Sequence, residues 1–191
     1  MIQKTMKPFI FILLLTLICC KNESKIEIET ESESIVDESV SKIWNNYIKS
    51  NPDFKDEKIP EADFFHNNEE DANRLAKLTV NGKKKTSSSL YSLYKQYNVD
   101  LPKIGAKQII TNFDGKAKAI IKNKSVDTIP FNKISKEYAE LDIGTNIEPL
   151  KKWKKAHWKF FKNLLKESGE KPTEEMLIVC VSFETIWTEK H

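Results

Sequence analysis

The spacing of apolar positions changes several times along the chain and marks out its elements. Ile43, Trp44, Tyr47 and Ile48 fall at i, i+1, i+4 and i+5, which predicts a short amphipathic helix over 41–48. A second helix is predicted from Asn67 or Asn68, either of which can cap it, to Gly82, which ends it. Its first turn is acidic, and Ala72, Leu75, Ala76 and Leu78 or Thr79 share one face. The period then shortens. Gln108 to Asn112 and Lys118 to Lys122 are runs rich in β-branched residues joined by Phe113-Asp114-Gly115, a hairpin signature. Ser125 to Phe131 reads as a further short strand stopped by Pro130. A helix follows to Asp142, and Ile143 to Asn146 read as a loop. Pro149 and Gly169 bracket a long helix from Leu150 to Ser168, and the apolar run from Met176 closes the chain as one long strand. The fold class is α+β, with helices around a small, mostly antiparallel β-barrel. The apolar phases put Trp44, Leu75, Leu78, Ile109, Ile120, Phe131, Trp153, Phe161, Val179 and Phe183 in the core.

The first twenty residues stand apart from this pattern. Lys4 and Lys7 precede a run from Phe9 to Ile18 that is apolar but for Thr16, then Cys19 and Cys20. About ten apolar residues are too few to span a bilayer and fit the core of an export signal. Leu17-Ile18-Cys19-Cys20 resembles a bacterial lipobox, which implies cleavage before Cys20, acylation of Cys20 and a lipid-anchored protein of the cell envelope. Residues 1–19 are thus expected to be a lipoprotein signal, residues 20–40 a flexible acidic tether, and 41–191 one domain. Only Cys180 then remains beside the anchor, inside an apolar run, so neither a disulfide nor a metal site is expected.

Charge separates the tether from the domain. The leader carries two lysines and residues 21–38 two lysines against seven acids, so the whole-chain +3 leaves +6 on residues 39–191. That balance suits a polyanionic partner. Lys83-Lys84-Lys85 follow Gly82 and run into Thr86-Ser87-Ser88-Ser89. The long helix carries Leu150, Trp153, His157, Phe160, Phe161 and Leu164 on one face and seven lysines over most of the rest. The lysines read as a solvated back, and His157 on its apolar face reads by default as a hydrogen-bonded core histidine.

The order of the segments carries more than any one of them. "ANRLAKLTVNGKKKTSSSL", "LPKIGAKQIITNFDGKAKAIIKNKSVDTIPFNKI", "YAELD", "LKKWKKAHWKFF" and "MLIVCVSFETIW" together resemble the ASCH domain, across residues 41–187. The bacterial subgroup it resembles has Gly-x-Lys-x-x-Thr and Trp-Arg-x-x-His motifs. The resemblance implies a PUA-like barrel with a cleft for RNA or a modified nucleoside, and in some relatives hydrolysis of acylated cytidine or of RNA. Carried across, the catalytic Lys is Lys84, the Thr is replaced by Ser87 and the Glu by Asp142. Tyr138 stands for Phe, Lys154 for the Arg after Trp153, and Ile143 for the Gly after the acid. Asp is one methylene shorter than Glu, and Lys154 cannot form a bidentate guanidinium clamp.

The chemistry expected of this set has Lys84 as nucleophile or base, tuned by Lys83 and Lys85 at the mouth of the barrel. Ser87 orients the amine or stabilises an oxyanion, and Asp142 moves the proton. Lys83, Lys85, Trp153, Lys154 and His157 are the expected substrate contacts. Lys84→Ala is accordingly expected to remove function with little loss of stability. The expected partners are RNA or a nucleoside, and a membrane through the lipid; the protein is read as a monomer without a cofactor. The alternative is a non-catalytic binding module or a structural envelope lipoprotein with a degenerate cleft.

Overall fold

The computed structural model describes residues 37–166 and 168–189. The leader, Cys20 and most of the expected tether lie outside the described residues. The domain begins earlier than residue 41. Asp37 caps helix α1 (Glu38–Ser50) by accepting from the Ser39 N–H at 2.9 Å, and Val40 is already buried. Residues 37–40 therefore belong to the fold and not to the tether.

After α1 come β1 (Ala62–Asp63), α2 (Glu69–Val80), β2 (Thr86–Leu90), α3 (Tyr91–Gln96), β3 (Lys107–Thr111) and β4 (Ala117–Pro130). Helix α4 (Lys136–Ile143), helix α5 (Pro149–Lys166) and β5 (Leu177–Thr188) follow among the described residues. The strands form one five-stranded sheet in the order β1-β3-β4-β5-β2, antiparallel except for the β1–β3 pair. β1 and β2 are its two edges. The short strand expected at Ser125–Phe131 is the second half of β4, which passes through a register shift between Asn123 and Ser125 and stays paired with β5 to Pro130. Such bulges bend a strand and increase its twist, which curls the sheet.

Both faces of the sheet are covered, which explains why its runs are apolar without alternation. Ile109 and Ile120 pack with Val40, Ile43, Trp44 and Tyr47 of α1. Their neighbours Ile110 and Ile121 turn to the opposite face and pack with Ala76 of α2 and Phe183. A third cluster joins Leu90, Ile178 and Cys180 of the sheet to Ala139, Trp153, Phe161 and Leu165 of α4 and α5. Every expected core residue is buried except Leu78, which is half-buried; Thr79 holds the inner position and donates to the Leu75 carbonyl at 3.0 Å. Cys180 lies in this core, where burial pushes its thiol up to about 11, as befits an inert packing residue.

On α5 the lysines at 151, 152, 155, 159, 162 and 166 are exposed, as their polar phase requires. Among the described residues, no helix is long and apolar enough to cross a membrane.

Candidate functional site

The turn after α2 decides where Lys84 goes. Gly82 sits at φ +64°, donating to the Thr79 carbonyl, while Lys83 N–H reaches back to Leu78 O at 2.9 Å. This paired closure of a helix end needs a left-handed residue, which Gly supplies without strain. It reverses the chain so that Lys84 turns inward and becomes 2% exposed, while Lys83 and Lys85 stay in water. Lys85 N–H then bonds Leu141 O at 2.9 Å, tying the turn to α4.

Helix α4 brings the acid to the same place. It is capped by Ser135 and ended by Gly144 at φ +71°. A side chain at Gly144 would lie 2.8 Å from Leu78 Cδ1, so a larger residue would have to displace the Leu78 side chain as well as strain the left-handed backbone. Asp142, two residues before this glycine, is 3% exposed and is ion-paired with Lys84. The Lys84 ammonium donates to Asp142 Oδ1, to the Asp142 carbonyl at 3.0 Å and to the Thr86 carbonyl at 2.7 Å. All three of its protons are committed.

The other carboxylate oxygen is as fully engaged. Asp142 Oδ2 accepts from Ser88 Oγ at 2.6 Å and from the Trp153 indole N–H at 2.8 Å, and His157 Nε2 lies 3.5 Å away. Burial pushes the Asp142 carboxyl up, but the Lys84 charge and the hydrogen bonds from Lys84 and Ser88 outweigh it and hold the group below the ordinary carboxylate range. Tyr138 completes the network by donating to the Ser87 carbonyl at 2.6 Å, a bond that the Phe of the ASCH pattern could not make.

His157 stacks on Trp153 with ring centroids 4.2 Å apart. Its Nδ1 lies 3.0 Å from the Trp153 carbonyl, which can only accept, so Nδ1 carries the proton. Burial lowers the His157 pKa, against the opposing pull of Asp142, so the ring is neutral at neutral pH and Nε2 keeps its lone pair. His66 is lowered too, again mainly by burial. Groups of this kind bind protons in the unfolded chain before the folded one. Stability is then complete above the unfolded value of 6.5 and falls as pH drops toward the folded values. Asp142, also lowered, adds a further loss below 3.8. The melting temperature is therefore expected to be level between about pH 7 and pH 8, to decline from about pH 6.5 downward, and to fall again as pH rises past the ordinary thiol value of 9.0, where Cys180, raised to about 11 in the fold, would ionise in the unfolded chain first. In a series of thermal melts, His157→Gln should remove part of the first decline; an unchanged profile would mean that His157 is not neutral in the fold.

A cleft opens over this network. Its inner end, about 90 Å³, is lined by Phe65, His66, Lys84, Ser88, Asp142 and His157, among others. Its outer part, about 410 Å³, shares Phe65, His66, Ser87, Ser88 and Phe160 and extends to Tyr94, Gln108, Asn123 and Phe183. Both edges of the sheet border it, β1 through Asp63 and β2 through Ser87 to Leu90, with β3, β4 and β5 contributing its floor. The cleft thus occupies the seam where a barrel would close. His66 holds φ +70° beside it, with its ring 4.7 Å from that of Phe160.

A sequence profile described as the ASCH domain matches residues 61–187. The chain belongs to the ASCH domain family. Among solved structures, a protein of Enterococcus faecalis V583 is 32% identical, with a TM-score of 0.70 over 78% of this chain and 88% of its own. An ASCH domain from Lactobacillus crispatus JV V101 is 29% identical, with a TM-score of 0.72 over 80% of this chain and 97% of its own. No curated protein matches the chain. The PUA-like α+β fold expected from the order of motifs is the fold of this ASCH domain.

The ASCH domain brings together only some of the residues singled out in the sequence. Lys84 and Asp142 meet directly, so the shorter acid still reaches its lysine. Ser87 lines the cleft, but Ser88 is the residue whose hydroxyl meets Asp142. Side chains alternate along a strand, and Thr86 and Ser88 of β2 face α4, where Thr86 Oγ1 donates to Tyr138 O. Trp153 is 0% exposed, so its ring cannot stack on a substrate; it serves the site through its N–H. Lys154 pairs with Glu174 at 3.3 Å and does not line the cleft. Lys83 and Lys85 are exposed and have no contact with the Lys84–Asp142 network beyond their backbone. Lys84 is a cleft-floor residue and not a mouth residue, and its burial overturns the expectation that replacing it would spare stability. Ser88, Phe65, His66 and Phe160 were missed. Period-two reading of Thr86-Ser87-Ser88-Ser89-Leu90 as a strand would have found Ser88.

Proposed function

We propose that this ASCH domain binds a nucleobase, carried by a nucleoside or by an unstacked RNA strand, in the cleft between β1 and β2. The observation that carries the reading is an aromatic-lined cleft with a fixed polar floor. Phe65, Phe160 and Tyr94 offer ring surface, and the ion pair, Ser88 and His157 offer polar groups that are held in place by their own hydrogen bonds. A volume of about 410 Å³ falls in the range of roughly 300–1,000 Å³ that holds small ligands. The left-handed backbone of His66 supports the reading, since strained residues gather at ligand sites. The net +6 of residues 39–191 suits a phosphate-bearing partner.

Titration of the purified full chain in mild detergent with cytidine, uridine and short RNA tests this. Phe160→Ala is expected to weaken binding about five- to a hundredfold, the worth of one base on one ring, while the exposed Lys155→Ala leaves nucleoside affinity unchanged. Equal losses from the two would point to a diffuse basic surface.

A second reading, hydrolysis of an acylated cytidine, is favoured by His157, whose Nε2 lone pair is available at the cleft to take a proton from an attacking water. In that reading Lys84 supplies charge, because attack by its nitrogen would require giving up three hydrogen bonds. Release of cytidine from acylated cytidine in the same titration supports hydrolysis; binding without product supports the module alone.

The site of action is proposed from the leader. We infer export and anchoring through an acylated Cys20, in keeping with the Leu17-Ile18-Cys19-Cys20 pattern. Cys20→Ser is expected to leave the leader uncleaved and to release the protein from lipid-dependent membrane retention. Unchanged processing and fractionation would exclude Cys20 as the anchor.

A further inference from the structure

The edge of β2 that faces the cleft carries an incomplete ladder. β2 pairs with β5 in the register Thr86↔Ser182, Ser88↔Cys180 and Leu90↔Ile178, and Phe183 N–H bonds Lys85 O at 2.8 Å. In an antiparallel pair the bonded positions alternate, so the residues that exchange bonds with β5 are 85, 87 and 89. The backbone groups of Thr86, Ser88 and Leu90 therefore point the other way, off the edge of the sheet. Thr86 O is taken by the Lys84 ammonium at 2.7 Å. Leu90 is the N-cap of α3, and its carbonyl begins that helix. Among the described residues, nothing meets the N–H or the C=O of Ser88. Ser88 also lines both parts of the cleft.

We propose that the backbone of Ser88 is the element that reads the ligand, pairing its N–H and C=O with the edge of a planar base that carries a donor next to an acceptor. N3–H with O4 in uracil, or N4–H with N3 in cytosine, has this form. The inference rests on the nucleobase reading of the cleft and adds to it which part of the base is recognised. An incoming peptide strand is disfavoured on the same observations. Strand addition needs free groups at alternate residues along the edge, and the carbonyls on either side of Ser88, at Thr86 and Leu90, are already engaged. One free residue accommodates one small edge. The slot is rigid, since Ser88 Oγ is fixed by Asp142 and the neighbouring Ser87 carbonyl by Tyr138. Such rigidity favours discrimination between bases, because a base lacking the matching groups would leave buried polar atoms unpaired.

The test has a ligand arm and a protein arm, both on the full chain in detergent. Uridine is compared with N3-methyluridine, which lacks the donor but keeps the ring. Ser88→Pro, which removes the N–H at an edge position where proline is tolerated, is compared with Ser88→Ala, which removes only the hydroxyl. Methylation is expected to weaken binding at least tenfold, and Ser88→Pro about tenfold beyond Ser88→Ala, the worth of one hydrogen bond with its partner left unpaired. Should Ser88→Pro fail to fold, the methylated ligand on the unaltered protein still decides. Binding of uridine and N3-methyluridine with equal affinity would overturn the slot while leaving the cleft as a nucleoside site. Absence of binding by every nucleoside would overturn the cleft reading, and the slot with it.

Discussion

Asp142→Ala is expected to lower the free energy of unfolding by about 3–5 kcal/mol, and Lys84→Ala by a similar amount. Each leaves the other charge in a site that is nearly closed to water, with Lys84 2% and Asp142 3% exposed. The loss is not the worth of the pair. Replacing both partners together, as in Lys84→Met with Asp142→Leu, removes the stranded charge and is expected to recover most of the stability while abolishing ligand binding. Urea unfolding of the two single variants and the double one forms a cycle that isolates the coupling. Strictly additive losses would show that the ion pair does not exist in solution. The same series bears on function, because a protein that is more stable without its ion pair keeps that pair for something other than stability.

Trp153→Ala is the second large expected loss, also about 3–5 kcal/mol. The ring is fully buried and packs against Phe131 at 5.1 Å and His157 at 4.2 Å between centroids. Trp153→Phe separates packing from hydrogen bonding. It keeps most of the ring and removes the donor to Asp142 Oδ2, a bond to a charged group worth about 1.5–3 kcal/mol. A loss below about 1 kcal/mol for Trp153→Ala would place the side chain at the surface and revive it as a platform for a base.

The helices were legible because their faces are long and one-sided. α1, α2 and α5 each repeat an apolar position three or four residues on, and Asn68, Pro149 and Gly82 mark ends that the folded chain uses. β3, the first half of β4, and β5 were legible from their β-branched content. β2 was not, because Thr86-Ser87-Ser88-Ser89-Leu90 has little intrinsic preference for a strand and becomes one by pairing along β5. Without the strand, nothing in the sequence separates the two faces of β2, which turn Ser87 and Ser88 to opposite sides and give the Asp142 contact to Ser88. Trp153 was read correctly as core, but its second reading as a substrate contact does not fit a fully buried ring. Spacing puts it on the inner face of α5 but does not say how deep, and the depth comes from α4 lying across it. The Lys84–Asp142 contact spans 58 positions in sequence, a separation that no local pattern reports.

The open seam between β1 and β2 has a consequence for how the empty and the occupied protein should behave in solution. Closed barrels have no edges, whereas here one edge is only two residues long and the other carries unpaired backbone. Amides along the seam, in Ala62 to His66 and Thr86 to Leu90, can therefore trade hydrogen for deuterium through small local openings that leave the rest of the sheet shut. A ligand lodged there takes the place of the missing ladder and raises the free energy of opening in proportion to the logarithm of its concentration. Occupancy would be written into the exchange rates of those two short stretches before it could be seen in the core.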